Sequence, residues 1–259
     1  MTAAVEFRDV SKRFPGMSHP ALDRVSLSIE AGELVTVLGT SGGGKTTFIK
    51  LINRLHAPDS GQVLVAGADV QGVDPVQLRR GIGYVIQQTG LFPHITVRNN
   101  IATVPKILKW DRERIDARVD ELLGLVGLEP EEFRDRYPAQ LSGGQQQRVG
   151  LARALAVEPE VMLFDEPFGA IDAITRATLQ DELLRIHRGS GKTFVFVTHD
   201  VAEAMKLGTK VLIIDQGAIQ QYDTPERIQL HPANDFVRTL LSTGGWMAGR
   251  GFVTDGAAI

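Results

Sequence analysis

Gly39-Thr-Ser-Gly-Gly-Gly-Lys45-Thr46-Thr47 lies between the apolar run Leu34-Val-Thr-Val-Leu38 and a helical pattern that starts near Phe48. Strand, glycine loop and helix in that order are what a backbone needs to wrap a polyphosphate. Gly39, Gly42, Gly43 and Gly44 let the chain fold closely and turn its N–H groups inward, and the helix start behind them adds positive dipole where the charge would sit. Within this cradle, which includes Thr40, Ser41 and Thr47, Lys45 is placed to hold the β- and γ-phosphates and the Thr46 hydroxyl to ligate Mg²⁺. A glycine-rich turn with a chance lysine is the plain alternative. It is disfavoured because Gly39, Gly44, Lys45 and Thr46 all match the Walker A spacing. The loop alone does not separate a kinase, a GTPase, a helicase and a transport motor.

Downstream, Val161-Met-Leu-Phe-Asp165-Glu166 is an apolar run ending in two carboxylates, with Pro159 before it and Pro167 after. A segment apolar on both faces suits a central parallel strand, whose C-terminal end opens on the same crevice as the glycine loop. Acids at a strand end can simply cap a helix. Beside a phosphate loop, Asp165 is placed to hold Mg²⁺ through water and Glu166 to polarise a water attacking the γ-phosphate. Lys192-Thr-Phe-Val-Phe-Val-Thr198 is a second buried strand, and it ends in His199. Most lone histidines are structural, but a strand end in this crevice reverses the odds. Leu78 to Gln87 leads through another strand to a glutamine; Gln87 or Gln88 can equally well face water or the crevice.

Before the loop, Val5, Phe7, Val10 and Val25, Leu27, Ile29 alternate around Pro15-Gly16 and Pro20, the mark of an antiparallel strand region. Phe14 lies at its bend, and by position alone a loop aromatic packed on the sheet is the better reading. After the loop, Ile49, Ile52 and Leu55 share one face of the helix. From about 88 to 155 the β-branched runs stop, and Val119, Leu122, Leu123 and Val126 recur at helical spacing behind the charged run Asp111–Asp120, which reads as a helical lobe with a solvated face. There Ser142 and Gln145 form the Ser-x-x-Gln pattern of a capping box around Gly143 and Gly144. Two glycines in a first turn cost about 1 kcal/mol each relative to alanine, which points to another group approaching that backbone. Further expectations are a helix from Thr175 to Arg188, a hairpin turning at Gln216-Gly217, a closing helix from Pro225 to Leu241, and a loose tail over 242–259.

The composition bounds the rest. At 259 residues, 43% hydrophobic and 23% charged, the chain can form one compact unit with an insertion. Its net charge of -3 gives no sign of nucleic acid as a partner. There is no cysteine, so thiolate catalysis, disulfides and Cys metal sites are excluded. The opening Met-Thr-Ala-Ala-Val-Glu-Phe-Arg-Asp lacks a basic segment followed by an apolar core, and no apolar run approaches the roughly 20 residues of a membrane span. The expectation is a cytoplasmic chain that meets a membrane only through a partner.

Taken together, the Walker A loop, Gln87, Leu141-Ser-Gly-Gly-Gln145, Asp165-Glu166, Asp172 and His199, in this order, resemble the nucleotide-binding subunit of ABC transporters over nearly the whole chain to about Leu241. Leu-Ser-Gly-Gly-Gln is the specific element, since P-loop kinases and GTPases lack it. The resemblance implies an α/β fold: a P-loop NTPase core with a mostly parallel sheet, an N-terminal antiparallel β region and an inserted α-helical lobe (88–155) within a domain over 1–241. It implies ATP and Mg²⁺, and a head-to-tail homodimer in which Ser142, Gly143, Gly144 and Gln145 of one subunit reach the γ-phosphate held by Lys45 of the other. It further implies that Phe14 stacks on adenine, Gln87 senses Mg²⁺ and the attacking water, Asp172 bridges the dimer and His199 contacts the γ-phosphate. Transmembrane permease subunits, and indirectly a solute-binding protein, are the implied partners, with the chain peripheral on the cytoplasmic face of the membrane.

A finer resemblance, in Leu51-Ile-Asn-Arg-Leu55, in Ile82 to His94, in Val104-Pro-Lys-Ile-Leu-Lys-Trp110 and in Phe168 to Arg176, is to importers of quaternary-amine osmoprotectants such as glycine betaine, choline, carnitine and proline betaine. Thr40 stands where that family usually has Pro, and Gly43 where Ser is common. Many relatives carry C-terminal CBS modules, which this chain is too short to hold. A soluble ABC ATPase acting on ribosomes or DNA, or a small-molecule kinase, is the competing reading; the former typically joins two cassettes or inserts a coiled coil. The apolar cluster Leu91-Phe92-Pro93-His94 is expected to grip the permease.

Overall fold

The computed structural model describes residues 3–86, 90–169 and 171–245. In β1 (Ala3–Lys12) and β2 (Leu22–Glu30) buried and exposed positions alternate, whereas β3 (Leu34–Leu38) is buried at every position. The first pattern belongs to a sheet covered on one face and the second to a strand covered on both. Helix α1 (Lys45–Ile52) starts directly after Gly44 and buries Phe48, Ile49, Leu51 and Ile52. Leu55 does not continue its buried face: the helix stops at Ile52, Arg54 takes a positive φ of 53°, and Leu55 is 47% exposed. After β4 (Ser60–Val65) and β5 (Ala68–Asp69), residues 75–80 form a helix, α2 (Pro75–Arg80), before β6 (Ile82–Val85). The strand expected between Leu78 and Gln87 is thus β6, and only Leu78 to Arg80 at the start of that run are helical. Asp74 accepts the Gln77 N–H at 3.1 Å and Pro75 presets the first helical φ, so local capping wins over the apolar spacing.

Helices α3 (Val97–Ile101), α4 (Thr103–Ile107), α5 (Arg112–Leu125), α6 (Pro130–Phe133) and α7 (Gly143–Leu155) follow, then β7 (Val161–Asp165), α8 (Ala173–Ser190), β8 (Thr193–Val197), α9 (Val201–Leu207), β9 (Lys210–Asp215) and β10 (Ala218–Asp223). The closing helix is two, α10 (Pro225–Leu230) and α11 (Asp235–Thr243). Pro232 removes a donor and forces His231 out of the helical region (φ -135°, ψ 65°), and Asn234 starts the second helix by accepting the Val237 N–H. Helix α11 runs past the expected end at Leu241, and residues 246–259 of the expected tail lie outside the described residues.

A six-stranded sheet has the order β10-β9-β3-β8-β7-β6, parallel except for the β9–β10 hairpin, and an antiparallel sheet has the order β2-β1-β4-β5. Val35, Val37, Val195 and Val197 pack on one face of the parallel sheet against α1 and the antiparallel sheet. Met162, Phe164, Phe194 and Phe196 pack on the other against α3, α5, α7 and α8. The register pairs Val37 with Val197 and Val197 with Asp165. The carboxyl ends of β3, β8 and β7 thus align, and the segments that follow them open on one edge.

Candidate functional site

At the end of β3 the chain must turn tightly against the β9–β10 hairpin. A Cβ on Gly39 would stand 1.9 Å from the Ile214 carbonyl oxygen, and one on Gly44, at φ 111°, would stand 2.3 Å from the Ala21 carbonyl. Only glycine fits at either place. Two further bonds hold the loop to the hairpin: the Thr40 hydroxyl donates to Asp215 Oδ1 at 2.6 Å, and the Gly217 N–H to the Gly43 carbonyl at 3.1 Å. The Lys45 ammonium folds back and donates to the carbonyls of Gly39 (2.9 Å) and Thr40 (2.8 Å). Burial lowers its pKa, against the pull of Glu166 and Asp165, which raise it. A cation in this position is already desolvated and offers its charge to any anion that enters.

The mouth of the loop is a cavity of about 220 Å³ lined by Phe14, Met17, Ala21, Ser41, Gly42, Gly44 to Thr47 and Glu166. Phe14 is half-buried, its ring held by the His56 ring (5.0 Å) and the Lys12 ammonium (5.3 Å). The ring therefore opens on the same cavity as the phosphate loop. Met17 and Ala21 were not singled out in the sequence; neither carries chemistry legible without the fold.

Across the loop, Thr46 Oγ1 donates to Asp165 Oδ1 at 3.4 Å, and the Tyr84 hydroxyl to Asp165 Oδ2 at 3.1 Å. Burial raises the Asp165 pKa, opposed first by the Tyr84 hydrogen bond, and burial raises that of Tyr84 as well. Tyr84 was also missed. It pairs with Leu163, two residues before Asp165 on the same face of β7, a relationship that appears only once the β6–β7 register is known. Hydroxyl and carboxylate oxygens, with no sulfur or imidazole among them, are the donor set of a hard, partly hydrated cation such as Mg²⁺. Glu166 turns out of β7 with a positive φ of 49°, its N–H donating to the Val197 carbonyl at 3.0 Å. Such a conformation in a non-glycine residue is uncommon and marks functional segments. Its Oε2 lies 3.2 Å from His199 Nδ1. Gln87 lies outside the described residues.

Ser142 and Gln145 form the reciprocal cap at the start of α7: Ser142 Oγ accepts the Gln145 N–H at 3.3 Å, and Gln145 Oε1 accepts the Ser142 N–H at 2.9 Å. Gly143 faces open space, but a Cβ on Gly144 would meet Thr175 Cγ2 at 2.7 Å. Close packing on α8 thus accounts for one of the two glycines, and the approach of another group is needed only for the other. Asp172 caps α8, accepting the Thr175 N–H at 3.0 Å, and its pKa is lowered by these hydrogen bonds. The structure brings Phe14, the glycine loop, Asp165, Glu166 and His199 together. It leaves Ser142 to Gln145 and Asp172 outside the loop cavity.

A family model described as ABC transporter matches residues 22–169. The Carnitine transport ATP-binding protein OpuCA of Listeria monocytogenes is 49% identical over 255 residues, 98% of this chain and 64% of that protein. The Glycine betaine uptake system ATP-binding protein YehX of Escherichia coli K12 is 51% identical over 234 residues, 90% of this chain and 75% of that one. The Sulfate/thiosulfate import ATP-binding protein CysA of Nocardia farcinica is 50% identical over 221 residues, 85% of this chain and 66% of that one. Among solved structures, the dimeric post-hydrolysis state of the ATP-binding cassette MJ0796, bound to ADP and Pi, superposes with a TM-score of 0.75 at 34% identity, covering 85% of this chain and 98% of that one. The chain thus spans under two thirds of the length of the carnitine relative and nearly all of a cassette. With its glycine loop, Leu-Ser-Gly-Gly-Gln helix start and paired strand-end acids in this arrangement, the chain belongs to the ABC transporter family.

Proposed function

We propose that the chain is the ATP-hydrolysing motor of an ABC importer for osmoprotectants such as glycine betaine, choline or carnitine. It works as a head-to-tail homodimer at the cytoplasmic face of a membrane, beneath transmembrane permease subunits that a solute-binding protein supplies. The observation that carries the motor reading is the alignment of the β3, β7 and β8 ends, which gathers Lys45, Asp165, Glu166 and His199 on one edge.

In this reading Phe14 stacks on adenine, the N–H groups of Gly39 to Thr47 surround the phosphates, and Lys45 exchanges its two carbonyl partners for β- and γ-phosphate oxygens. Thr46, Asp165 and Gln87 would hold Mg²⁺, which when bound neutralises charge on the phosphates. Glu166 takes the proton of the attacking water, and His199 beside it contacts the γ-phosphate. Ser142, Gly143, Gly144 and Gln145 offer the bare N–H groups of α7 to the nucleotide held by the other subunit, with Asp172 beside them at the dimer seam. The osmoprotectant assignment is supported by the carnitine and glycine betaine names of two relatives. A second reading, import of another small solute, is favoured by the sulfate relative at similar identity. No described helix is long and apolar enough to cross a membrane. Purifying the chain with its permease from native membranes and measuring uptake of labelled betaine, choline, carnitine and sulfate tests the assignment. Retention of all quaternary-amine uptake after deletion, with loss of another solute, overturns it.

A further inference from the structure

Arg176, in the first turns of α8, touches two segments that the sequence keeps apart. Its Nη2 donates to the Ile171 carbonyl at 2.9 Å, and its Nη1 stands 3.7 Å from Asp200 Oδ2. Ile171 immediately precedes Asp172, the N-cap of α8, and Asp200 immediately follows His199 and is the N-cap of α9, accepting the Glu203 N–H at 3.1 Å. One turn further along the same face of α8, the buried Gln180 donates to the buried Glu203 at 3.0 Å. Two layers of polar contact therefore join α8 to α9, and the first touches the sequence neighbours of Asp172 and His199.

The third nitrogen of the guanidinium, Nε, is shut off from water and has no partner among the described residues. A buried N–H without an acceptor costs free energy, which an apolar side chain of similar length would avoid. An ion pair at 3.7 Å, partly open to solvent, offsets little of that. As a contribution to stability the side chain is a poor choice. As a planar fork that donates to a carbonyl with one prong and sets its charge 3.7 Å from a carboxylate with another, it does what methionine cannot and lysine does only with a single donor group.

We propose that Arg176 is a positioning residue: it ties the Asp172 loop to the His199 loop, so that a displacement of Asp172 at the dimer seam is passed to His199 and from there to Glu166, 3.2 Å away. Asp172 and His199 enter with the roles proposed above, and the inference rests on that reading. Arg176 itself does not line the loop cavity. It sets where two other residues stand.

Three variants separate the possibilities. Arg176→Met keeps the stem and removes the fork, Arg176→Lys keeps the charge with a single donor group, and Asp200→Asn keeps an oxygen to cap α9 but loses the charge. For Arg176→Met we expect kcat to fall about 10-fold, with nucleotide affinity and KM within about 2-fold of the parent, because misplacing catalytic groups affects the transition state more than ground-state binding. Arg176→Lys should recover part of kcat. The double variant Arg176→Met/Asp200→Asn should be no slower than Arg176→Met alone, because both remove one interaction. Amide hydrogen exchange supplies a readout independent of turnover: Arg176→Met should speed exchange at both 171–175 and 199–204 while the β3 and β8 amides stay protected. Loosening confined to α8, or multiplicative losses in the double variant, overturns the tether. An inactive parent with coupled exchange in the variant would instead strike at the ATPase reading and leave the tether standing.

Discussion

His199 Nδ1 stands 3.2 Å from Glu166 Oε2, and the backbone beneath them is joined by the Glu166 N–H on the Val197 carbonyl. With the proton on Nδ1 the ring donates to the carboxylate, so each residue holds the other in the crevice. His199→Ala removes that restraint and the proposed contact to the γ-phosphate. We expect kcat to fall by about 100-fold, the scale of one positioned acid–base group, with nucleotide affinity nearly unchanged. Steady-state phosphate release and equilibrium binding on the same preparation separate the two effects.

The Thr40 hydroxyl is bound to Asp215, and with the Gly43–Gly217 contact it fixes the phosphate loop against the hairpin. Thr40→Val keeps the branched shape and deletes that bond. A net hydrogen bond near 1 kcal/mol corresponds to a rise of about 5-fold in KM for ATP, with kcat unchanged, and Thr40→Ser should behave like the parent. A loss of kcat with unchanged KM would place Thr40 elsewhere in the cycle.

Phe92 is 43% exposed although it belongs to an apolar cluster, and its backbone is fixed independently of its ring by Asn100, which accepts its N–H at 2.8 Å and donates to its carbonyl at 3.1 Å. The Arg153 guanidinium lies 5.9 Å from the ring, so a carboxylate there meets a cation. Phe92→Asp should therefore leave the melting temperature within about 3 °C, the range of surface substitutions, while capture by the permease is lost. A large fall in melting temperature would show Phe92 to be core.

Glu203 is buried, and its pKa is raised above the ordinary glutamate value, first by burial and then by Asp200, with Thr198, Gln180 and Arg176 opposing. A raised carboxylate favours the protonated form when folded. Its cost is absent below the unfolded value of about 4.3, grows as pH climbs towards the folded value, and is constant above it. Glu203→Gln keeps an acceptor for Gln180 and removes the charge. Melting curves from about pH 4, the unfolded glutamate range, upward should show the variant gaining on its parent as pH rises until the gap levels off; a gap that narrows with pH would reverse the sign assigned to Glu203.

Much of this architecture was legible in the chain because periodicity and punctuation agreed. The buried strands β3, β7 and β8, the glycine loop and the Ser142–Gln145 cap each combine a local pattern with a specific turn chemistry. The differences fall where local capping or a single proline decided: α2, capped by Asp74, runs to Arg80 over the start of the stretch leading into β6, and Pro232 divided the closing helix. Tyr84, Asp215 and Arg176 were invisible for another reason. Their partners are 81, 175 and up to 24 residues away, so what they touch depends on strand register and on the docking of α8 against α9.

In the proposed function Glu166 is the base of an ATPase that closes as a head-to-tail pair. Glu166→Gln keeps the shape of the side chain and removes its proton affinity. Size-exclusion chromatography with light scattering, run with Mg²⁺ and ATP alongside a phosphate-release assay, tests it most directly. The expected result is near-complete loss of turnover, retained ATP binding and a stable dimer that dissociates when ATP is withdrawn. A variant that stays monomeric and hydrolyses ATP at the parent rate would contradict it.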